Sequence, residues 1–223
     1  MELYNKVIST YESHANAELA GPMKAYMKNN FEFYGIKSPL RKEISKPLMN
    51  QSKSLSADEV FELVKMLWER PQRELQYFAL ELFLKHKKAI KEEEDIEFLQ
   101  WMAVNGSWWD TIDSIAPKLM KVYFDKFPDN RNKKVDEWVG SGNIWLQRCA
   151  ILIHLKQKEN VDLPYMFETI LRLNDTNEFF VNKAIGWVLR ENAKHQADPI
   201  LQFVDQHKAE LSNLSVREAL KHF

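Results

Sequence analysis

Apolar residues recur at three- and four-residue spacing in nearly every window of this chain, the signature of a helix with one buried face. One stripe runs Leu75, Phe78, Ala79, Leu82, Phe83; another runs Trp145, Leu146, Cys149, Ile153, Leu155. No alternating run bounded by turns competes with the helix reading. Start signals are frequent. Ser38 precedes Pro39, an N-cap followed by proline at the first helical position. Ser56 stands three residues before Glu59, a capping box, and Asn143 follows the breaker Gly140-Ser141-Gly142 and can cap the next helix. Pro71, Pro128, Pro164 and Pro199 each sit at a break between stripes. The pattern predicts helices over 72–86, 109–121, 143–156 and 179–194. It also predicts helix over roughly 60% or more of the chain and essentially no sheet.

Four segments align without gaps: RELQYFALELFLKH from Arg73, SWWDTIDSIAPKLM from Ser107, NIWLQRCAILIHLK from Asn143 and EFFVNKAIGWVLRE from Glu178. One column holds only small residues, Ala79, Ser114, Ala150 and Ala184, at steps of 35, 36 and 34, and one more step of 35 lands on Ala219. A period near 35 with two helices per unit describes an α-solenoid of HEAT-like repeats. The expected fold is therefore all-α, one repeat domain over residues 1–223 with a concave binding face. The small column is where neighbouring helices should pack closely. A non-repetitive bundle of amphipathic helices is the alternative.

Composition narrows the classes. A chain of 223 residues that is 45% hydrophobic and 28% charged is neither disordered nor a membrane protein. Its N-terminus carries no signal-peptide pattern, and the expected location is the cytoplasm. Six glycines are too few for a many-stranded sandwich, and no glycine fingerprint of a dinucleotide fold occurs. Cys149 stands alone, so an internal disulfide and a cysteine-rich zinc site are excluded. The six His show no metal-ligand spacing, and no metal or cofactor is expected. Net charge is −1, so a nucleic-acid surface would have to come from local segregation of Lys and Arg.

The column just before the small residue holds the unusual chemistry: Phe78, Asp113, Cys149 and Lys183. Trp109 lies one turn before Asp113, Trp187 one turn after Lys183, Arg190 one turn beyond Trp187, and Arg148 beside Cys149. In the repeat register Trp109, Asp113, Arg148 and Trp187 fall on one side of the array. Two indoles, a carboxylate and a guanidinium make an unusual group for either a core or a solvated face. Taken singly each has a plain reading: a tryptophan at helical spacing is usually core, and a helix Asp is usually solvated. Only eight of the 31 basic residues are Arg, which makes Arg148 and Arg190 stand out as geometrically specific donors. Cys149 lies in an apolar stripe and reads as a packed thiol.

These motifs resemble those of the DNA alkylation repair family of HEAT-like repeat proteins, and most nearly its AlkD-type alkylpurine DNA glycosylases. The match runs through SWWDTIDSIAP, NIWLQRCAIL and EFFVNKAIGWVLRE, and upstream through PMKAYMKNNFEFYGIKSPLRK, with Tyr26, Gly35, Pro39 and Arg41 in place. It covers nearly the whole chain. The resemblance implies that Asp113 is catalytic, with Trp109 and Trp187 beside it in a DNA-facing cleft. It further implies DNA-binding roles for Arg148, Arg190, Tyr26, Arg41 and Lys183. The implied partner is double-stranded DNA containing alkylated purines, met by a monomer at the nucleoid.

The implied reaction suits these residues. An N3- or N7-alkylated purine is cationic and leaves as a neutral base, so no general acid is needed. What remains is oxocarbenium character on the deoxyribose and an attacking water. A carboxylate about 4 Å from that cation contributes about 4 kcal/mol at an effective dielectric near 20. Each indole face adds roughly 0.5–2 kcal/mol. No Schiff-base lysine is required, so the expected enzyme is a monofunctional glycosylase. The alternatives are a non-catalytic HEAT-repeat protein that binds distorted or branched DNA, and a protein-binding scaffold.

Overall fold

The computed structural model describes residues 2–222. The chain is 72% helical, as the periodicity predicts. Among the described residues the only extended pairing is an isolated bridge between Glu32 and Gln72. None of their helices is long and apolar enough to cross a membrane. The fold is all-α, in the manner of a helical-repeat protein. The backbone falls into two compact units, residues 1–91 and 92–223.

The first unit comprises α1 (Glu2–Ser13), α2 (Ala17–Tyr26), α3 (Ser38–Gln51), α4 (Ala57–Trp68) and α5 (Arg73–Lys85). Its core gathers Val7, Tyr11, Val64, Leu67, Leu75, Phe78 and Phe83. Ser56 and Glu59 form the expected capping box at α4. The start of α3 differs by one residue: Ser38 is already helical, Lys37 is the N-cap, and no side chain caps it, although Pro39 keeps its place in the first turn. Gly35 is needed where it stands. Its φ of +87° suits glycine, and a Cβ there would run into the Asn16 carbonyl. The tight turn aims the amides of Tyr34, Gly35 and Ile36 at the Glu74 carboxylate, at 2.9–3.0 Å, which is how a fully buried acid is tolerated in α5.

The second unit comprises α6 (Asp95–Val104), α7 (Trp109–Ser114), a π-helical turn (Ile115–Met120), α8 (Lys121–Lys126), α9 (Asn130–Gly140), α10 (Ile144–Leu152), α11 (Leu163–Leu171), α12 (Phe179–Ala193), α13 (Ala197–His207) and α14 (Asn213–Ala219). The helices that carry the repeat motif stack in series, α7 on α10, α10 on α12 and α12 on α14. That is the nearest-neighbour contact pattern of stacked repeats. Most of the small column in this unit is buried. Ala150 and Ala184 are fully buried and Ala219 nearly so.

The helix over 109–121 is not regular. Pro117 has no N–H to offer the Asp113 carbonyl four residues back, and its ring crowds that carbonyl. The chain responds with a wider turn, in which the Lys121 amide reaches back five residues to Ala116. The helix expected to run to 156 stops at Leu152, and residues 153–156 form turns.

Candidate functional site

Asn143 starts the site. Its side chain accepts from the amides of Trp145 (3.0 Å) and Leu146 (3.2 Å), capping α10 as the sequence predicts. One and a half turns later α10 presents Arg148 towards α7 and α12. Arg148 is almost wholly buried, and each of its three nitrogens makes a contact. Nε and Nη2 reach Asp113 Oδ1 at 2.9 and 2.7 Å, and Nη1 donates to the Phe180 carbonyl. One guanidinium therefore ties three consecutive repeat helices together.

Both contacts to Asp113 fall on Oδ1. Among the described residues Oδ2 accepts no hydrogen bond, and the side chain retains 21% exposure. Burial pushes the Asp113 carboxyl above its usual range. Arg148 pulls the other way without cancelling the effect, and nearby Asp110 adds to the rise. The result is a largely buried carboxylate gripped on one oxygen, with the other left without a hydrogen bond among the described residues.

That carboxylate opens into a pocket of about 260 Å³. Trp109 of α7 forms one wall, one turn before Asp113. Trp187 forms another from α12, whose 179/183/187/190 spacing also brings Phe179, Lys183 and Arg190 to the same face. Neither indole is sealed in the core; both keep partial exposure. Phe179 stands 58% exposed among the lining residues. A knot of rings supports the site. Trp108, Trp145 and Phe180 meet pairwise at centroid distances of 4.9–5.6 Å. Trp108 Nε1 is buried there without a hydrogen-bond partner among the described residues.

The cations on α12 are held from behind by Glu218 of α14. Lys183 Nζ lies 2.6 Å from its Oε1. Arg190 Nη1 lies 2.9 Å from Oε2 and 2.7 Å from the Glu218 carbonyl oxygen. The two hydrogen-bonded cations hold the Glu218 carboxyl down at about 2. Gly186 permits this arrangement. A Cβ there would collide with the Glu218 Cβ and lie 2.7 Å from the Ser215 carbonyl oxygen. Ser215 also donates to the Asn182 carbonyl at 2.9 Å, which fixes the register of α14 on α12.

The structure thus brings Trp109, Asp113, Arg148, Lys183, Trp187 and Arg190 to one pocket, built from the second unit alone. Tyr26 and Arg41 belong to the first unit. Tyr26 ends α2 and is 71% exposed. Arg41 is buried, with Nη2 on Glu81 Oε1 at 2.9 Å and its guanidinium over the Tyr77 ring. It is a packed cation rather than an open one. Arg148 likewise lies buried, with Nε and Nη2 on Asp113 and Nη1 on the Phe180 carbonyl. Cys149 is fully buried, and its thiol is pushed strongly upward by burial, as a packed cysteine should be. Sequence reasoning missed Glu218, Phe179 and Phe180. Glu218 had a signal: it immediately precedes Ala219, so it is the next member of the column Asp113, Cys149, Lys183.

The model of a family described as DNA alkylation repair enzyme matches residues 7–223. A solved structure described as a predicted DNA alkylation repair enzyme from Enterococcus faecalis superposes with a TM-score of 0.85 at 29% identity, covering 94% of this chain and 96% of that one. No curated protein matches the chain. With the family model spanning nearly every residue, the chain belongs to the DNA alkylation repair enzyme family.

Proposed function

We propose that the protein is a monofunctional alkylpurine DNA glycosylase, which hydrolyses the N-glycosidic bond of N3- and N7-alkylated purines in duplex DNA. The observation that carries the reading is the Asp113 carboxylate, gripped through Oδ1 by a buried guanidinium in a pocket that two indoles also line. The C1′–N bond breaks with its electron pair going to the cationic base, which departs neutral. Water adds to C1′, and its proton passes to Asp113 Oδ2 or to solvent. Through the transition state the carboxylate faces a sugar that gains positive charge, while Trp109 and Trp187 offer π faces to the cationic nucleotide. Arg148 is a positioning residue that fixes the carboxylate. Lys183 and Arg190 supply positive charge for the DNA backbone. A pocket of about 260 Å³ is below the ~300–1,000 Å³ of sites that enclose a ligand, which favours a nucleotide docked at its mouth over one swallowed whole.

Single-turnover release of 7-methylguanine from a duplex tests the reading. Wild-type protein should release the base and leave an abasic site that breaks only on alkaline treatment. Asp113→Asn keeps an acceptor for Arg148 but removes the charge, and should slow release by roughly 10²-fold or more, the equivalent of a few kcal/mol. Release by Asp113→Asn at the wild-type rate, or none by the wild type, would move the assignment to a protein that binds DNA without cutting the bond.

A further inference from the structure

The pocket carries an imbalance that Asp113 and the indoles do not account for. Its reacting partner is a cationic base, and its sugar becomes more cationic in the transition state, yet Lys183 and Arg190 stand among its lining residues. Two unscreened cations would repel such a substrate. Both are instead tied to one carboxylate, Glu218, at 2.6 and 2.9 Å. Glu218 is 8% exposed and holds both cations at ion-pair distance. Its helix is brought within reach by the glycine at 186, where any side chain would strike Glu218 itself. Lys183 keeps 39% side-chain exposure and Arg190 17%, so neither is locked away.

We propose that Glu218 is a positioning and specificity residue: its carboxylate holds Lys183 and Arg190 on the α14 side of the pocket and cancels one of their two charges. This rests on the glycosylase reading and extends it. The site limits its pull on phosphate, which is the same in damaged and undamaged DNA, to one net positive charge, and it favours cationic bases by keeping a second cation from going uncompensated beside them. The local count supports this. Asp113 and Arg148 cancel, and Glu218 leaves a single net positive charge from Lys183 and Arg190, where its loss would leave two.

The test uses the full chain with Glu218→Gln, which keeps shape and removes charge, and Glu218→Asp, which keeps charge and shortens the arm. The probe is an undamaged duplex, titrated from low to high salt. Glu218→Gln should bind it roughly 3- to 10-fold more tightly at low salt, and the slope of log K against log salt should steepen by about one, as for one further phosphate neutralised. On a 7-methylguanine duplex at saturating protein, Glu218→Gln should slow excision roughly 3- to 10-fold. Glu218→Asp should keep the wild-type salt slope, which a purely structural role would not predict. Glu218→Gln with the wild-type slope and rate overturns the proposal, as does a Glu218→Asp protein whose slope steepens. Should Glu218→Gln not fold, Glu218→Ala is read on the same duplex, where the slope should likewise steepen by about one and an unchanged slope overturns the proposal. The binding arm does not depend on excision, so a protein that binds duplex but releases no base sinks the glycosylase reading while leaving the charge role of Glu218 measurable. A wild type that binds no duplex overturns both.

Discussion

His154 should make this protein sensitive to mild acid. It follows α10, is fully buried, and neither ring nitrogen has a hydrogen-bond partner among the described residues. Its ring stands edge-on to Tyr165 at 5.9 Å, and its carbonyl accepts from Asn192 Nδ2 at 3.3 Å. Burial holds the imidazole down at about 3, with Arg131 lowering it further and Asp162 opposing. In the unfolded chain it titrates near 6.5. Between these values the unfolded state binds a proton that the folded state refuses. Stability from this residue is therefore complete above about pH 6.5 and is lost as pH falls towards 3. The difference of about 3.5 units corresponds to about 5 kcal/mol in full, of which about 2 kcal/mol is already gone at pH 5. The perturbation is His154→Phe, an aromatic replacement of similar size that cannot titrate and removes two unpartnered buried nitrogens. Urea unfolding at pH 8 and pH 5 gives the comparison. The wild type should lose about 2 kcal/mol more than the variant between the two pH values. Parallel losses would show that His154 is protonated or hydrated in the native state, and the burial argument would fail.

Two further outcomes follow from the same geometry. Gly186→Ala should push α14 off α12, because the new methyl meets the Glu218 Cβ and the Ser215 carbonyl. A net loss of about 1–3 kcal/mol is expected, read as a lower Tm with faster amide exchange in α14; an unchanged or raised Tm would refute the close-approach account. The raised Asp113 carboxyl should set the acid limb of single-turnover excision above the ordinary aspartate value, since a protonated Asp113 cannot stabilise a cation. A limb at the ordinary value would place Asp113 in water.

Much of this protein is determined by the order of its residues. Helix is local: three- and four-residue spacing, the Ser56–Glu59 box and the Asn143 cap act within a turn or two, and each appears where the pattern puts it. The repeat period is also local information; it set Trp109, Asp113, Arg148 and Trp187 on one side of the array, and one pocket gathers them, although Cys149, which shares the column of Asp113 and Lys183, is buried and Arg148 beside it lines the pocket instead. Other features were decided only in three dimensions. Arg41 and Arg148 look alike as exposed-type cations in sequence, but burial against Glu81 and Asp113 makes each a packed partner of an acid. Such pairings span 35 to 40 residues and depend on which faces turn inward. The π-turn at Pro117 was legible as a proline, yet whether the chain breaks or widens there depends on what neighbouring helices hold in place. Glu218 is the clearest case. Its column position marks it, but its meaning comes from α14 lying against Gly186, a contact made possible by one missing side chain on another helix.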